Sequence, residues 1–253
     1  MTFVQAGGHT LEYERIPGDP VIVFLHEGLG SVAMWKDFPR RLAERTGCGA
    51  LIYSRYGYGK SDPLTAPFGP YFMHSEALEA LPDLLKKLKI ERPILFGHSD
   101  GASIALIYAG THHSSDAYAP RGVIALAPHV FIEEVAITSI RATQRNYDSG
   151  KLREKLARYH NHADSTFRAW SEIWLRPGFR DWSIEEFLPK IECPILAIQG
   201  WDDEYGTMEH LDRIARLSPD VELLKLENCR HSAHFDQPEA VMEASAKFIA
   251  KLE

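Results

Sequence analysis

Short apolar runs punctuate the chain: VIVFLH (21–26), GALIYS (49–54), PILFGH (93–98), GVIALA (122–127), PILAIQG (194–200) and VELLKLE (221–227). The first is continuously apolar, the signature of a strand buried on both faces of a sheet, and the others continue the pattern as further strands. Between them lie stretches with apolar residues at helical spacing, which predict helices at 32–46, 75–89, from Ser99 onward, at 207–217 and at 237–252. Pro82 falls inside the second of these and predicts a kink. Ahead of the first run, TFVQAGGHTLEYERI reads as two short strands around a Gly-Gly turn. One long stretch, 131–189, carries no strand signal. Its segments EEVAITSIRATQRNY, LREKLARYHNH, STFRAWSEIWL and SIEEFL predict four helices inserted between two strands. The pattern as a whole predicts an α/β fold, a mostly parallel eight-stranded sheet flanked by helices. Residues 1–130 and 190–253 form its two parts and 131–189 an inserted helical segment.

Composition narrows the partners. With 253 residues and 45% hydrophobic content, the chain can bury a sizeable core. The formal charge is −7 with both signs interspersed and no basic run, which argues against nucleic acid. No apolar run approaches the roughly 18 residues of a membrane span, and MTFVQAGGHTLEYER lacks the basic start and apolar stretch of a secretory signal. The three cysteines, Cys48, Cys193 and Cys229, are far apart and odd in number, which predicts reduced thiols and a cytoplasmic location. Nothing fixes the oligomeric state; a monomer and a homodimer both fit.

The chemistry is concentrated where strands end. In a parallel sheet, ligands gather at the carboxyl ends of the strands. There Gly97-His98-Ser99-Asp100-Gly101 passes from strand to helix. A serine on such a sharp turn exposes its hydroxyl at a helix N-terminus, and the glycines leave room for close backbone approach. A serine hydroxyl needs a base to take its proton and a carboxylate to orient that base. Downstream, QGWDDEYG supplies Asp202 and Asp203 after one strand, and CRHSAH supplies His231 and His234 after the last. The order serine, acid, histidine is the one such a fold requires.

These motifs, together with HEGLGS after the third strand and SRYGYGKSD after the fourth, resemble the α/β-hydrolase superfamily over nearly the whole chain, and small bacterial carboxylesterases with a helical cap in particular. The resemblance implies Ser99 as nucleophile, His231 as base and Asp203, three residues beyond Gly200, as the acid. Asp202 is then a loop carboxylate bonded to local backbone. It implies an oxyanion hole made by the N–H groups of Asp100 and of Gly28. Two departures stand out: Arg230 replaces the usual glycine before the histidine, and Glu27 replaces the usual glycine after His26. Glu27 is a candidate to bind a polar substrate group, tune His231 or pair with a base. The implied activity is cleavage of a small-molecule carboxylic ester through an acyl-enzyme, with no metal and no cofactor. Thioester, lactone or carbon–carbon bond hydrolysis, and a low-turnover ligand-binding protein that keeps the triad, are the alternatives.

Other residues invite readings of their own. His129, at the end of a core strand, faces the same edge and is a candidate substrate contact. Trp170 and Trp174 share a helical face; together with Trp182 they line the pocket or hold the cap together, packing being the favoured role. His234 is read as a locally packed loop histidine and Thr207 as a helix N-cap. HNHAD (160–164) resembles part of a metal-ligand motif but lacks its last histidine, and reads as surface. Gly57-Tyr58-Gly59 reads as a tight turn rather than a phosphate loop.

Overall fold

A computed structural model describes residues 2–252. The chain forms β1 (Thr2–Ala6), β2 (His9–Ile16), β3 (Val21–Leu25), α1 (Phe38–Thr46), β4 (Gly49–Tyr53), α2 (Phe72–Ser75), α3 (Leu81–Leu88), β5 (Ile94–His98), α4 (Asp100–Ala109) and β6 (Gly122–Leu126). Next come α5 (Glu134–Asp148), α6 (Lys151–Leu156), α7 (Ala163–Leu175), β7 (Ile195–Gly200), α8 (Glu209–Leu217), β8 (Val221–Leu226), α9 (Ala233–Asp236) and α10 (Pro238–Ile249). The eight strands make one sheet in the order β1-β2-β4-β3-β5-β6-β7-β8. Only β2 runs against its neighbours; every pairing from β4 to β8 is parallel. The β1–β2 hairpin turns on Gly7 and Gly8, both at positive φ, as a two-residue hairpin loop demands.

Alternation along the strands splits the core in two. Val23, Leu25, Leu51 and Leu95 face one side, where they meet α3, α4 and α8. Ile22, Phe24, Phe96 and Ile124 face the other, against α1 and α10. Both faces are covered over the central strands β3 to β7, which is why these read as largely apolar runs, whereas β8 at the edge is half exposed and carries Glu222 and Lys225. Helix α4 is buried along its whole length, so the segment after Ser99 is apolar all round.

Three expected elements differ. The predicted helix 32–46 is a 3₁₀ turn (Val32–Trp35) and then α1, separated at Lys36, which sits at φ 55. Around Pro82 the chain is helical without a break from Phe72 to Leu88 but changes its hydrogen-bond pattern. A π turn (Glu76–Ala80) joins α2 directly to α3, and Pro82, which has no N–H to donate, stands just after it in the first turn of α3. The inserted segment has three α-helices, α5 to α7, not four. SIEEFL forms turns instead of an α-helix because its start is tied to the segment after β6: Ile184 N–H donates to the Val130 carbonyl at 2.9 Å, and Ser183 bridges Phe131. Beyond it lies only a 3₁₀ turn at Leu188–Lys190. The insertion shares the core of one sheet face through Tyr147, Phe167, Trp170 and Trp174. Among the described residues no helix is long and apolar enough to cross a membrane.

Candidate active site

Ser99 occupies the turn between β5 and α4 at φ 54, ψ −118, a positive-φ conformation that costs a non-glycine residue about 1–3 kcal/mol. Its neighbours over-determine it. Ser99 N–H donates to the Leu126 carbonyl at 2.9 Å. A Cβ on Gly97 would strike the Gly101 carbonyl, and one on Gly101 the Leu25 carbonyl. The two glycines therefore let strand and helix close to a distance no side chain permits. The turn exposes the Ser99 side chain to a cavity of about 360 Å³ at the carboxyl end of the sheet. Ser99 Oγ has no hydrogen-bond partner among the described residues; hydrogen bonds of this kind commonly tighten only when substrate is bound.

His231 lines the same cavity. Its Nδ1 lies 2.9 and 3.0 Å from the two carboxylate oxygens of Asp203, so Nδ1 carries the proton and Nε2 is left as a base. Asp203 lies just past the end of β7, and His231 just past β8. The two loops touch because Gly200 has no Cβ to meet the Cys229 carbonyl, and Asp202 N–H donates to that carbonyl at 2.9 Å. Asp203 is further held by Tyr205 N–H at 2.8 Å and Gln199 Nε2 at 3.2 Å. Burial would raise its pKa, but the His231 charge and hydrogen bond outweigh burial and keep it below the usual carboxylate value. Conversely, burial pulls His231 down, and the Asp203 charge and hydrogen bond more than offset this, leaving its pKa above the ordinary value. Asp202 is exposed, and its carboxylate bonds to nothing among the described residues. The local backbone bonds expected of it are absent, because its exposed carboxylate is left to water.

The two expected oxyanion-hole donors also border the cavity: Gly28 on the loop after β3 and Asp100 as the first residue of α4. Trp170 lies so close to Gly28 that a Cβ there would strike its indole. The Asp100 carboxyl is buried and has no hydrogen bond on either oxygen. Burial pushes its pKa up to about 6, against the pull of Arg55. Glu27 faces the cavity too, and its Oε2 is 3.7 Å from His98 Nδ1. Burial would raise its pKa, but the His98 contact and charge outweigh burial and hold it well below the usual carboxylate range. His98 Nε2 in turn donates to the His231 carbonyl at 3.0 Å. Thus Glu27 reaches His231 through a neighbouring ring, a route its place in the sequence did not reveal.

His129 is buried against Trp174, His210 and His231, with ring centroids 4.9, 5.2 and 5.9 Å away. Burial, then the neighbouring His210, keeps it neutral. Trp170 and Trp174 both line the cavity and pack into the shared core, so lining and packing are one role here. Leu29, Met34, Ile140 and Leu156 supply further apolar wall. His234 lies not in a loop but in the short helix α9, where it is buried against His98 and Trp35, residues distant in the sequence. Thr207 Oγ1 accepts from Glu209 N–H at 3.3 Å at the start of α8.

The HNHAD stretch corrects one expectation: His160 is buried, not superficial. Its Nδ1 accepts from Gly59 N–H and its Nε2–H donates to the Leu29 carbonyl, both at 2.9 Å. It pins the insertion to the loops after β3 and β4. No cluster of metal-binding side chains exists among the described residues. Gly57 and Gly59 sit at positive φ in a tight turn closed by Gly57 N–H to the Asp62 carbonyl. Two residues of the site were not singled out from the sequence. Glu204, beside the acid, accepts from His231 N–H at 3.3 Å. Arg55, in SRYGYGKSD, lies buried behind the Gly28 loop.

Comparison with known proteins places this geometry. The chain is 25% identical to the mouse (Mus musculus) sn-1-specific diacylglycerol lipase ABHD11, over 95% of this chain and 85% of that protein. It is 26% identical to the human (Homo sapiens) serine hydrolase BPHL, over 91% and 80%. Among solved structures, an esterase from Exiguobacterium antarcticum superposes with a TM-score of 0.78 at 21% identity, covering 99% of both chains. A bacterial membrane phospholipase A gives 0.81 at 19% identity, covering 98% of this chain and 85% of that one. The sequence profile of the alpha/beta hydrolase family matches residues 22–244. The chain belongs to the alpha/beta hydrolase family.

Proposed function

We propose that this protein is a serine hydrolase that cleaves carboxylic esters of small molecules. The observation that carries the reading is the Asp203–His231 pair, ordered at 2.9 Å and opening on the cavity that holds Ser99. His231 Nε2 takes the Ser99 proton as Oγ attacks the ester carbonyl. The developing oxyanion is met by the N–H groups of Gly28 and Asp100, the latter reinforced by the start of α4. His231 then returns the proton to the leaving alcohol. Water activated by the same nitrogen releases the acid from the acyl-enzyme. Asp203 stays ionised throughout and stabilises the imidazolium. Esters are favoured over more polar acyl donors because the cavity wall beyond the triad is largely apolar, through Leu29, Met34, Ile140, Leu156 and the two tryptophans. Cys48, Cys193 and Cys229 are all free thiols, which supports a reducing, cytoplasmic setting.

The test is turnover of p-nitrophenyl esters of graded acyl length. Short and medium acyl chains are expected to be hydrolysed faster than long ones, since about 360 Å³ is near the lower bound of small-molecule sites. Absence of turnover above the Ser99→Ala background on every ester removes the reading.

A further inference from the structure

Arg55 lies just past β4 and is 2% exposed. A buried guanidinium needs partners for its charge and its donors. Here they lie on the loop that carries Gly28. Nη2 donates to the Glu27 carbonyl at 3.0 Å and to the His26 carbonyl at 3.2 Å. The Arg55 backbone N–H donates to His26 Nε2 at 3.1 Å, and its Nε–H points at the same nitrogen from 3.4 Å. His26 Nε2 is therefore an acceptor, Nδ1 carries the proton, and Nδ1–H donates to the Glu27 carbonyl at 2.7 Å. Gly30 N–H adds a third bond to that same oxygen at 3.1 Å. One carbonyl thus takes three hydrogen bonds, one of them charge-assisted.

The carbonyl belongs to the peptide that ends in Gly28 N–H. In a trans peptide the C=O and N–H point in opposite directions. Fixing the Glu27 oxygen toward Arg55 fixes the Gly28 N–H away from it, on the cavity side. The same Nη2 lies 4.0 Å from Asp100 Oδ2. Asp100 supplies the other N–H of the proposed hole. Arg55 thus stands between the two residues that would meet the oxyanion, touching the first through its peptide and the second through its side chain. A tyrosine ring closes the far side, with Tyr58 4.8 Å from the guanidinium carbon.

We propose that Arg55 is the positioning residue of the oxyanion hole. It touches no substrate; it sets the direction of the Gly28 N–H and its spacing from the N–H of Asp100. This rests on the ester-hydrolase reading above. A lysine cannot replace it, because the planar fork is what reaches two adjacent carbonyls and an imidazole at once. A merely structural arginine would lower stability and leave the chemistry of folded molecules alone.

The experiment compares wild type, Arg55→Lys and Arg55→Met on one activated ester, with thermal unfolding recorded alongside. It also measures inhibition by a trifluoromethyl ketone, which forms an oxyanion on Ser99, and by the matching methyl ketone. Loss of one oxyanion donor costs about 10²–10³-fold in kcat in a serine protease. Both variants are therefore expected to lose about 10²-fold in kcat with KM within a few-fold of wild type. Trifluoromethyl ketone affinity should fall in parallel while the methyl ketone is unaffected, and added guanidinium should restore part of the activity of Arg55→Met. Folded variants with wild-type kcat, or with both ketones weakened equally, overturn the proposal. If Arg55→Met does not fold, Arg55→Lys decides alone by the same split. A wild type that neither turns over esters nor binds the trifluoromethyl ketone overturns the ester-hydrolase reading itself, a result distinct from variants that match an active wild type.

Discussion

Ser99, Asp203 and His231 stand on loops whose entries are strands of the sheet, whereas Trp170 and Trp174 reach the same cavity from α7 of the insertion. The two regions are held differently. On the sheet side, backbone fixes the geometry: Ser99 is clamped by the Leu126 carbonyl and by two glycines, and the acid and base loops are joined by backbone bonds. On the insertion side two backbone bonds, Asn161 N–H to the Gly59 carbonyl and Ile184 N–H to the Val130 carbonyl, both at 2.9 Å, are joined by side chains that do much of the holding. His160 pins the segment to the loops below, Ser139 Oγ donates to the Glu204 carbonyl, and Thr143 meets the Tyr205 hydroxyl at 2.8 Å. Reacting groups need sub-ångström placement and sit where backbone supplies it. A pocket wall needs only shape, and side-chain packing suffices.

Perturbing each side should produce effects of different kinds. The largest belongs to the nucleophile. Ser99→Ala is expected to reduce kcat by on the order of 10⁶ without loss of fold, measured as ester turnover with circular dichroism as the control. Next comes the acid. Asp203→Asn keeps the shape but favours the wrong histidine tautomer, a change that costs about 10⁴ in a well-studied triad; a loss of at least about 10²-fold is expected on an activated ester. Asp202→Asn, with no bond to lose, should stay within about tenfold of wild type. The reverse ranking would move the acid to Asp202.

Insertion variants should change preference more than rate. Trp170→Ala or Trp174→Ala should alter the kcat/KM ratio between short and long acyl esters by about 10–200-fold, the effect of one lost methylene-sized contact. An unchanged acyl-length profile in both would make the insertion a scaffold only.

The smallest effect is on pH. His231, the proposed base, acts when neutral, and its pKa lies above the ordinary value because the Asp203 carboxylate stabilises its protonated form. The acid limb of kcat/KM should therefore lie above about pH 6.5, with activity rising as pH passes through it. Residual activity of Asp203→Asn should show that limb at lower pH, since the charge that raised it is gone.

The same contrast explains what could be read from the sequence. Every strand was legible, as was the gathering of Ser99, Asp203 and His231 at one end of the sheet, because largely apolar runs mark parallel strands and these three residues sit just after them. The insertion was less so. SIEEFL has helical periodicity, but Ile184 is committed to Val130, and Pro189, with no N–H to donate, cannot carry a helix into the next turn. His160 sits in a polar stretch, yet the fold buries it between two backbone partners. Arg55 and His98 were hidden for a related reason. Several of their partners are carbonyl oxygens of the 26–27 and 231 peptides, and a carbonyl has no residue identity for a sequence pattern to reveal.

The central claim is that Ser99 is an activated nucleophile. Intact-mass spectrometry after treatment with a fluorophosphonate, with peptide mapping of the product, tests it most directly. One stoichiometric adduct on Ser99 is predicted, absent from Ser99→Ala and strongly slowed in His231→Ala. No adduct on the folded wild-type protein, or an adduct elsewhere with Ser99 untouched, would contradict it.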